Sequence, residues 1–384
     1  MQGKGKSMYN DQQAADMRRR RQIRNWIILI ALIIAVVVGI QVLRNMGKST
    51  EISCTTMPCY ANQDVTPFGN NVLYYDGASI HCLTSTGGVR WSYPVGSGAM
   101  FSVSDTHLVI WIGSQLFIVD QNGHPTYNDN MGAEVQFARI GGNYCAVVLG
   151  EDTAPHLVVR DLQGTQVDEE NEAFNGMLLL DAGFYGDNGQ YMWTLAMDVY
   201  GTAINTVLNT FQVGKMNTGE VSLGEFITYD VLFENNKLRV FTTQQMYTYD
   251  YKAVQDANGT MLVYGWRLLD AYVPARGNAR MLLAPNTQTN TSTYAITELR
   301  VLTGDVDRRY TLPTTCVGAA VQGNNIYAIS AEYLYRADVD SQNFYGYALP
   351  LPNGQKATGF LGLTDNGRAL VSSGSSVYSI SLPR

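Results

Sequence analysis

From about residue 60 to the C-terminus, apolar residues come in runs of five to eight, and Gly, Asn and Asp separate the runs. Within several runs apolar and polar positions alternate, as in "HLVIWIG", "KLRVFTT", "NIYAIS" and "SVYSISL". A period of two lays one face of an extended chain on a core, so each run predicts a strand. No stretch of comparable length carries the stripe of an amphipathic helix. One apolar stretch lacks this punctuation. Residues 26–43, "WIILIALIIAVVVGIQVL", carry no charge, and thirteen of the eighteen are Ile, Leu or Val.

The strands fall into groups: strand, short turn, strand, Asp/Asn-Gly turn, then a strand bearing an aromatic. Eight groups open at "NVLYYDG", "HLVIWIG", "YCAVVLG", "YMWTLAM", "KLRVFTT", "RMLLAPN", "NIYAIS" and "RALVSSG". In the fifth, "MLVYGWRLL" serves as the outer strand. Turn glycines at 88, 123, 164, 219, 259 and 304 recur with a mean period near 43. That period, at about four strands per unit, is the spacing of propeller blades. One blade cannot bury both its faces, whereas neighbours stacked round a ring do. The expected fold is therefore all-β: a single propeller of eight four-stranded blades, with seven as the alternative. The last group lacks an outer strand, and a segment from about residues 50–68 is available to supply it and close the ring.

The uncharged stretch reads as a transmembrane helix. Its Ile, Leu and Val side chains favour the bilayer by about 4–8 kcal/mol on the insertion scale. As a helix it spans about 27 Å, enough for the hydrocarbon core. Lys4, Lys6, Arg18, Arg19, Arg20, Arg21 and Arg24 precede it, and only Arg44 and Lys48 follow closely. This bias sets the N-terminus in the cytoplasm and the rest outside, at the plasma membrane. A cleaved signal peptide fits less well, because the stretch exceeds a usual h-region and "QVLRNMGKST" offers no Ala-x-Ala site. The expected organisation is a basic tail (1–25), the span (26–43), a juxtamembrane segment with the ring-closing strand (44–62) and an extracytoplasmic propeller (63–384).

Charge then narrows the partners. The tail is five positive on balance, so a chain of net −7 leaves −12 on the remainder. An acidic exterior repels nucleic acid. Charged residues make up only 15%, while Gly (37) and Tyr (24) are plentiful, which suits twisted sheet and turns.

Candidate chemistry is sparse. Cys54 and Cys59, in "CTTMPC", stand outside the membrane and form a candidate disulfide. Cys82, Cys145 and Cys316 lie in or beside apolar strands, as small buried hydrophobes do. His81, His107, His124 and His156 show no paired zinc spacing, so no metal site is expected. The acidic run "DEENE" at 168–172 reads as a solvated outer strand. Asp105, Asp120, Asp161 and Asp181 read as turn residues, whose side chains bond local backbone. "NGT" at 258 and "NTS" at 290 match the glycosylation pattern, which matters in a eukaryotic host only.

The phrase "apolar-x-Asp-x-x-Gly-x-x-x-Trp" in the first two groups resembles the repeats of the quinoprotein-alcohol-dehydrogenase-like propellers. The layout as a whole resembles an uncharacterised family of single-pass, membrane-anchored propellers of Gram-positive bacteria. The likeness covers residues 60–384 in architecture, and its motif is degenerate. Trp91 and Trp266 keep the tryptophan; Tyr127, Tyr310 or Phe344 replace it elsewhere. The resemblance implies that Trp91 packs between blades. It does not carry over a quinone floor, a calcium site or adjacent cysteines, so no cofactor is expected. By repeat type the chain is also similar to the propeller of the outer-membrane barrel-assembly machine, a lipoprotein, whereas no lipobox cysteine stands beside this span.

The function expected is a membrane-tethered, non-catalytic module that binds protein or cell-envelope partners. The alternative is an envelope enzyme, or a small-ligand or glycan receptor, using the central funnel. A cavity there with converging polar side chains would favour the alternative.

Overall fold

The computed structural model describes residues 52–170, 173–286 and 295–383. The apolar span at 26–43 and the arginines at 18–21 and 24 lie outside the described residues. The β-fold occupies Ser53–Leu382, one of two units into which the chain divides; the other is Met1–Ile52 with Pro383–Arg384.

Six four-stranded sheets and one seven-stranded sheet follow one another along the chain. Neighbouring strands are antiparallel, as in the first sheet, where Asn71–Tyr75 pairs Ser79–Thr84 and that strand pairs Val89–Pro94. Short turns make this possible. Gly87, at φ +87, takes the left-handed conformation that lets the chain reverse before Val89.

The first strands of successive sheets lie side by side: Met100–Val103 beside Val135–Gly141, and that strand beside Leu178–Tyr185. Likewise Val306–Gln322 lies beside Gly359–Thr364, which in turn lies beside Thr66–Phe68 of the first sheet. The order is cyclic, and the first strand of each sheet faces a common axis. This is a β-propeller.

The ring closes through its two ends. Cys54–Tyr60 pairs antiparallel with Ser376–Ser381, in the register Cys54↔Ile380, Thr55↔Ser379 and Thr56↔Tyr378. The last sheet therefore takes its outer strand from the opposite end of the unit. Ser53 and Ser381 exchange hydrogen bonds there, at 2.7 and 2.9 Å.

The core lies between sheets, and it explains why some runs are apolar almost throughout. In Tyr191–Asp198, Met192 and Ala196 pack against Val148 and Val159 of the sheet before. Trp193 and Leu195 pack against Val231 and Val240 of the sheet after. A strand buried on both faces has no polar side to alternate with.

Two features depart from the sequence grouping. "MLVYGWRLL" is two strands, Met261–Leu262 and Trp266–Tyr272, because Gly265 at φ +81 turns the chain between them. Trp266 thus opens the axial strand of the next sheet and is not the counterpart of Trp91. In the seven-stranded sheet, Val306–Gln322 pairs through its first part with Ile296–Thr303 and through its second with Asn325–Ser330.

Antiparallel order gives the ring two unlike ends. Turns between second and third strands share one end with the crossovers from each outer strand to the next sheet, and we call this the crossover end. The remaining turns lie at the terminal end, where the chain enters at Cys54 and leaves at Ser381.

Candidate functional site

Successive sheets are held by a recurring lock. On several outer strands a side chain reaches the terminal-end turn of the next sheet. Trp91 Nε1–H donates to Gln121 O (3.0 Å), Thr218 Oγ1–H to Tyr251 O (2.7 Å), and Tyr310 Oη–H to Val339 O. The turn glycines make room for the ring. A Cβ on Gly123 would stand 2.6 Å from Trp91 Cγ, and one on Gly164 would stand 1.8 Å from the Tyr127 ring. Trp91 and Tyr127 are therefore structural pegs between sheets.

The aspartates serve the same turns. Asp120 Oδ1 accepts from the amides of Asn122 and His124, and Asp161 Oδ1 from those of Gln163 and Thr165. Asp105 lies in a turn. Asp181 is different. It sits on the axial strand Leu178–Tyr185 and pairs with Arg139 of the neighbouring axial strand at 2.7 Å.

The histidines are scattered. His81 Nε2 meets Asp76 Oδ2 at 2.7 Å, its Nδ1 meets Ser92 Oγ at 2.7 Å, and its ring stacks on Tyr74. The bond to His81, with amides of Ser79 and Ala78, holds the Asp76 carboxyl down at about 2. Burial lowers the His107 pKa, with the Asp120 charge opposing it. His124 stands near Asp120, and His156 Nε2 lies 3.8 Å from Glu169. Among the described residues no three His, Cys, Asp or Glu gather as a metal site.

Cys54 and Cys59 are separate free thiols on one extended strand. Five residues at about 3.3 Å each place them beyond disulfide reach of one another. Burial raises the Cys54 pKa against the opposing Arg368 charge, and pushes Cys59 to about 11. Cys82, Cys145 and Cys316 are fully buried among apolar side chains. In the acidic run, Asp168 accepts from the Gly214 amide and Glu169 from the Gln166 amide group; residues 171–172 lie outside the described residues. Asn258 is in the short turn Ala257–Gly259, and the 290 site lies outside the described residues.

Among the described residues two places stand out. The first is a cavity of about 500 Å³ between the axial strand Trp266–Tyr272, the second part of Val306–Gln322 and Gly359–Thr364. Arg267, Asp270, Tyr272, Gln322 and Asp365 contribute its polar side chains, and Leu269 and Phe360 are among the apolar ones. Asp270 accepts from the Val321 amide at 2.8 Å, which ties two axial strands together. Burial raises the pKa of Asp270, although that hydrogen bond opposes the shift. Asp230, on the axial strand one sheet earlier, is raised by burial and, to a lesser degree, by the Asp181 charge.

Asp181, Asp230 and Asp270 occupy one equivalent position. Each ends a β-bulge on its axial strand, after Leu179, Thr228 and Leu268 respectively. They line up on three consecutive sheets. The sequence carried a signal for this row in "LLDAG", "TYDVL" and "LLDAY", each an Asp set among apolar residues ahead of a strand group. It was hidden because a β-bulge just before each aspartate breaks the alternation of its strand.

The second place is the crossover end of the fourth to sixth sheets. Tyr264 is 72% exposed and Leu262 67%, and Tyr200, Ile204 and Ile227 are exposed as well. Hydrogen bonds stitch the segments carrying them into one surface: Thr206 Oγ1–H to Phe226 O, Thr243 N–H to Ile227 O, and Val263 N–H to Gln244 O. Sequence reasoning missed this surface, since its residues come from three separate stretches, and Leu262 and Tyr264 lie in a run that reads as one strand.

No family model and no curated protein matches the sequence. Among solved structures, the chain is similar to BamB from Moraxella catarrhalis, at 9% identity over 86% of this chain and 98% of that one, TM-score 0.49. It is similar to apo AztD from Citrobacter koseri, at 13% identity over 75% and 86% of the two chains, TM-score 0.49. It is also similar to the Pan2 WD40 domain of Neurospora crassa, at 8% identity over 85% and 95%, TM-score 0.49. The propeller assignment itself rests on the four-stranded sheets, their cyclic order and the pairing of the two ends.

Proposed function

We propose that this chain is a membrane-tethered, extracytoplasmic propeller of eight blades that acts as a non-catalytic protein-interaction scaffold. Eight blades follow if Val306–Gln322 serves as the outer strand of one blade and the axial strand of the next. The observation that carries the interaction reading is the stitched apolar surface at the crossover end. Monomeric proteins rarely leave contiguous apolar surface in water without a binding role. Tethering rests on the uncharged span at 26–43 and the arginines before it.

The test has two arms. Asn62→Cys, in a Cys54→Ser background, should react with a membrane-impermeant maleimide on intact cells, while Asn10→Cys should react only after permeabilisation. Reaction at 10 on intact cells would overturn the orientation. A photo-crosslinking residue at Tyr264 should give a discrete protein adduct in living cells, and one at Val254, at the terminal end, should not. No adduct at Tyr264, or equal adducts at both, would sink the interaction reading.

A second reading has one observation in its favour: Arg267, Asp270, Tyr272, Gln322 and Asp365 converge on the axial cavity. This suits a receptor for a small polar ligand or glycan. Saturable heat on titrating an oligosaccharide into the full chain, abolished by Arg267→Ala, would carry that reading; heat unchanged by the substitution would remove it.

A further inference from the structure

We infer that Ser92, on the outer strand of the first sheet, is an activated nucleophile that takes up an acyl group from an ester or thioester. This goes beyond the scaffold reading, which neither needs it nor falls with it.

The first argument is a chain of two hydrogen bonds. His81 Nε2 lies 2.7 Å from Asp76 Oδ2, and His81 Nδ1 lies 2.7 Å from Ser92 Oγ. A hydroxyl bonded to a base that a third group orients is the arrangement that activates a weak nucleophile. Asp76 fixes which nitrogen does what. The bond to His81, with the amides of Ser79 and Ala78, keeps its carboxyl down at about 2, so at neutral pH it is an ionised acceptor. Neutral His81 must then carry its proton on Nε2, which leaves the Nδ1 lone pair for the Ser92 hydroxyl proton.

The second argument is how the three groups are held. Asp76 Oδ1 accepts from the amides of Ala78 and Ser79 at 2.9 and 2.7 Å, and the Tyr74 ring stacks on the imidazole with centroids 4.7 Å apart. His81 and Ser92 stand directly opposite each other on Ser79–Thr84 and Val89–Pro94. Val95 N–H bonds Ala78 O, and counting along the ladder from there makes His81↔Ser92 a pair without mutual backbone bonds. Side chains come closest in such a pair. The Ser92 N–H meanwhile turns outward from the strand that ends the sheet, where it can donate to a carbonyl oxygen gaining charge.

The third argument is access. Ser92 is exposed, and the His81 side chain keeps 19% of its surface in solvent. In the step itself, Ser92 Oγ bonds the carbonyl carbon as its proton passes to His81 Nδ1. The bond to the alkoxide or thiolate then breaks, and that group leaves with the proton. Nothing is oxidised or reduced.

The full chain in detergent is treated with a fluorophosphonate, whose phosphorus stands in for the carbonyl carbon and loses fluoride, and adducts are located by peptide mass spectrometry. Ser92 should be labelled, and exposed Ser97 should not. His81→Gln keeps a hydrogen-bonding side chain but takes up no proton, and should slow labelling at least about 100-fold. Asp76→Asn can donate to Nε2 and so move the proton to Nδ1; it should slow labelling at least about tenfold. Circular dichroism should show both variants folded. p-Nitrophenyl acetate, quenched in acid, should leave an acetyl group on Ser92.

Labelling of Ser92 no faster than of Ser97, or unchanged in folded His81→Gln, would make the hydrogen bonds purely structural and overturn the inference. A phosphonate adduct without an acetyl one would overturn acyl transfer as the chemistry. The Tyr264 adduct tests the scaffold reading separately, so the two can fail independently.

Discussion

Leu370→Ala probes ring closure as a property of the whole unit. Leu370 is fully buried on Arg368–Ser373 in the last sheet. It packs in one cluster with Met57 and Cys59 of the closing strand, Val377 of the last strand, and Val72 and Leu83 of the first sheet. Truncating a buried leucine costs about 2–5 kcal/mol, from lost transfer energy and the cavity left behind. The unit runs from Ser53 to Leu382. At about 2.1 cal/mol/K per residue, its unfolding entropy is about 0.7 kcal/mol/K, so Tm should fall by about 3–7 °C. The sharper assay is native-state hydrogen exchange. A closed ring has no end from which to fray, so the loss should be global. Slow amides of Tyr191–Asp198, on the fourth sheet, should lose as much protection as those of Ser376–Ser381. If only the last and first sheets lose protection, the idea that closure couples the ring is refuted. The measured ΔΔG should be the same at both places, within error.

Gly164→Ala should destabilise more than Gly98→Ala, although both glycines have φ near +83. At Gly98 nothing lies within 4 Å of the new Cβ, whereas at Gly164 it would enter the Tyr127 ring and unseat the peg. The cost at Gly98 should be about 1–2 kcal/mol from backbone strain alone, and equal melting shifts for the two variants would contradict the lock. Asp270→Asn should raise Tm at pH 7. With its folded pKa raised by burial, Asp270 binds its proton more tightly folded than unfolded, so wild-type stability falls as pH rises from about 4 through the folded value. The advantage of Asn should therefore vanish towards pH 4, and a variant less stable than wild type at pH 7 would show that the ionised carboxylate serves the fold.

What the sequence determined by itself was architecture of short range. Alternation, turn glycines and their period near 43 specify strands and four-strand units, because a strand's pattern and a tight turn's chemistry are local. The unpartnered "SVYSISL" even demanded a strand from elsewhere, since an open sheet edge would invite association. Tertiary structure alone decided the rest. The register of Cys54–Tyr60 on Ser376–Ser381 joins residues more than 300 positions apart, and no local preference encodes it. Gly265 divided what looked like one strand, a choice made by the next sheet's need for an axial strand. The row of Asp181, Asp230 and Asp270 exists because bulges on three separate strands turn equivalent positions to one axis. The crossover surface is assembled from three stretches that lie well apart along the chain. Periodicity reports what each strand faces, whereas only the closed ring sets which strands share an axis and which loops share an end.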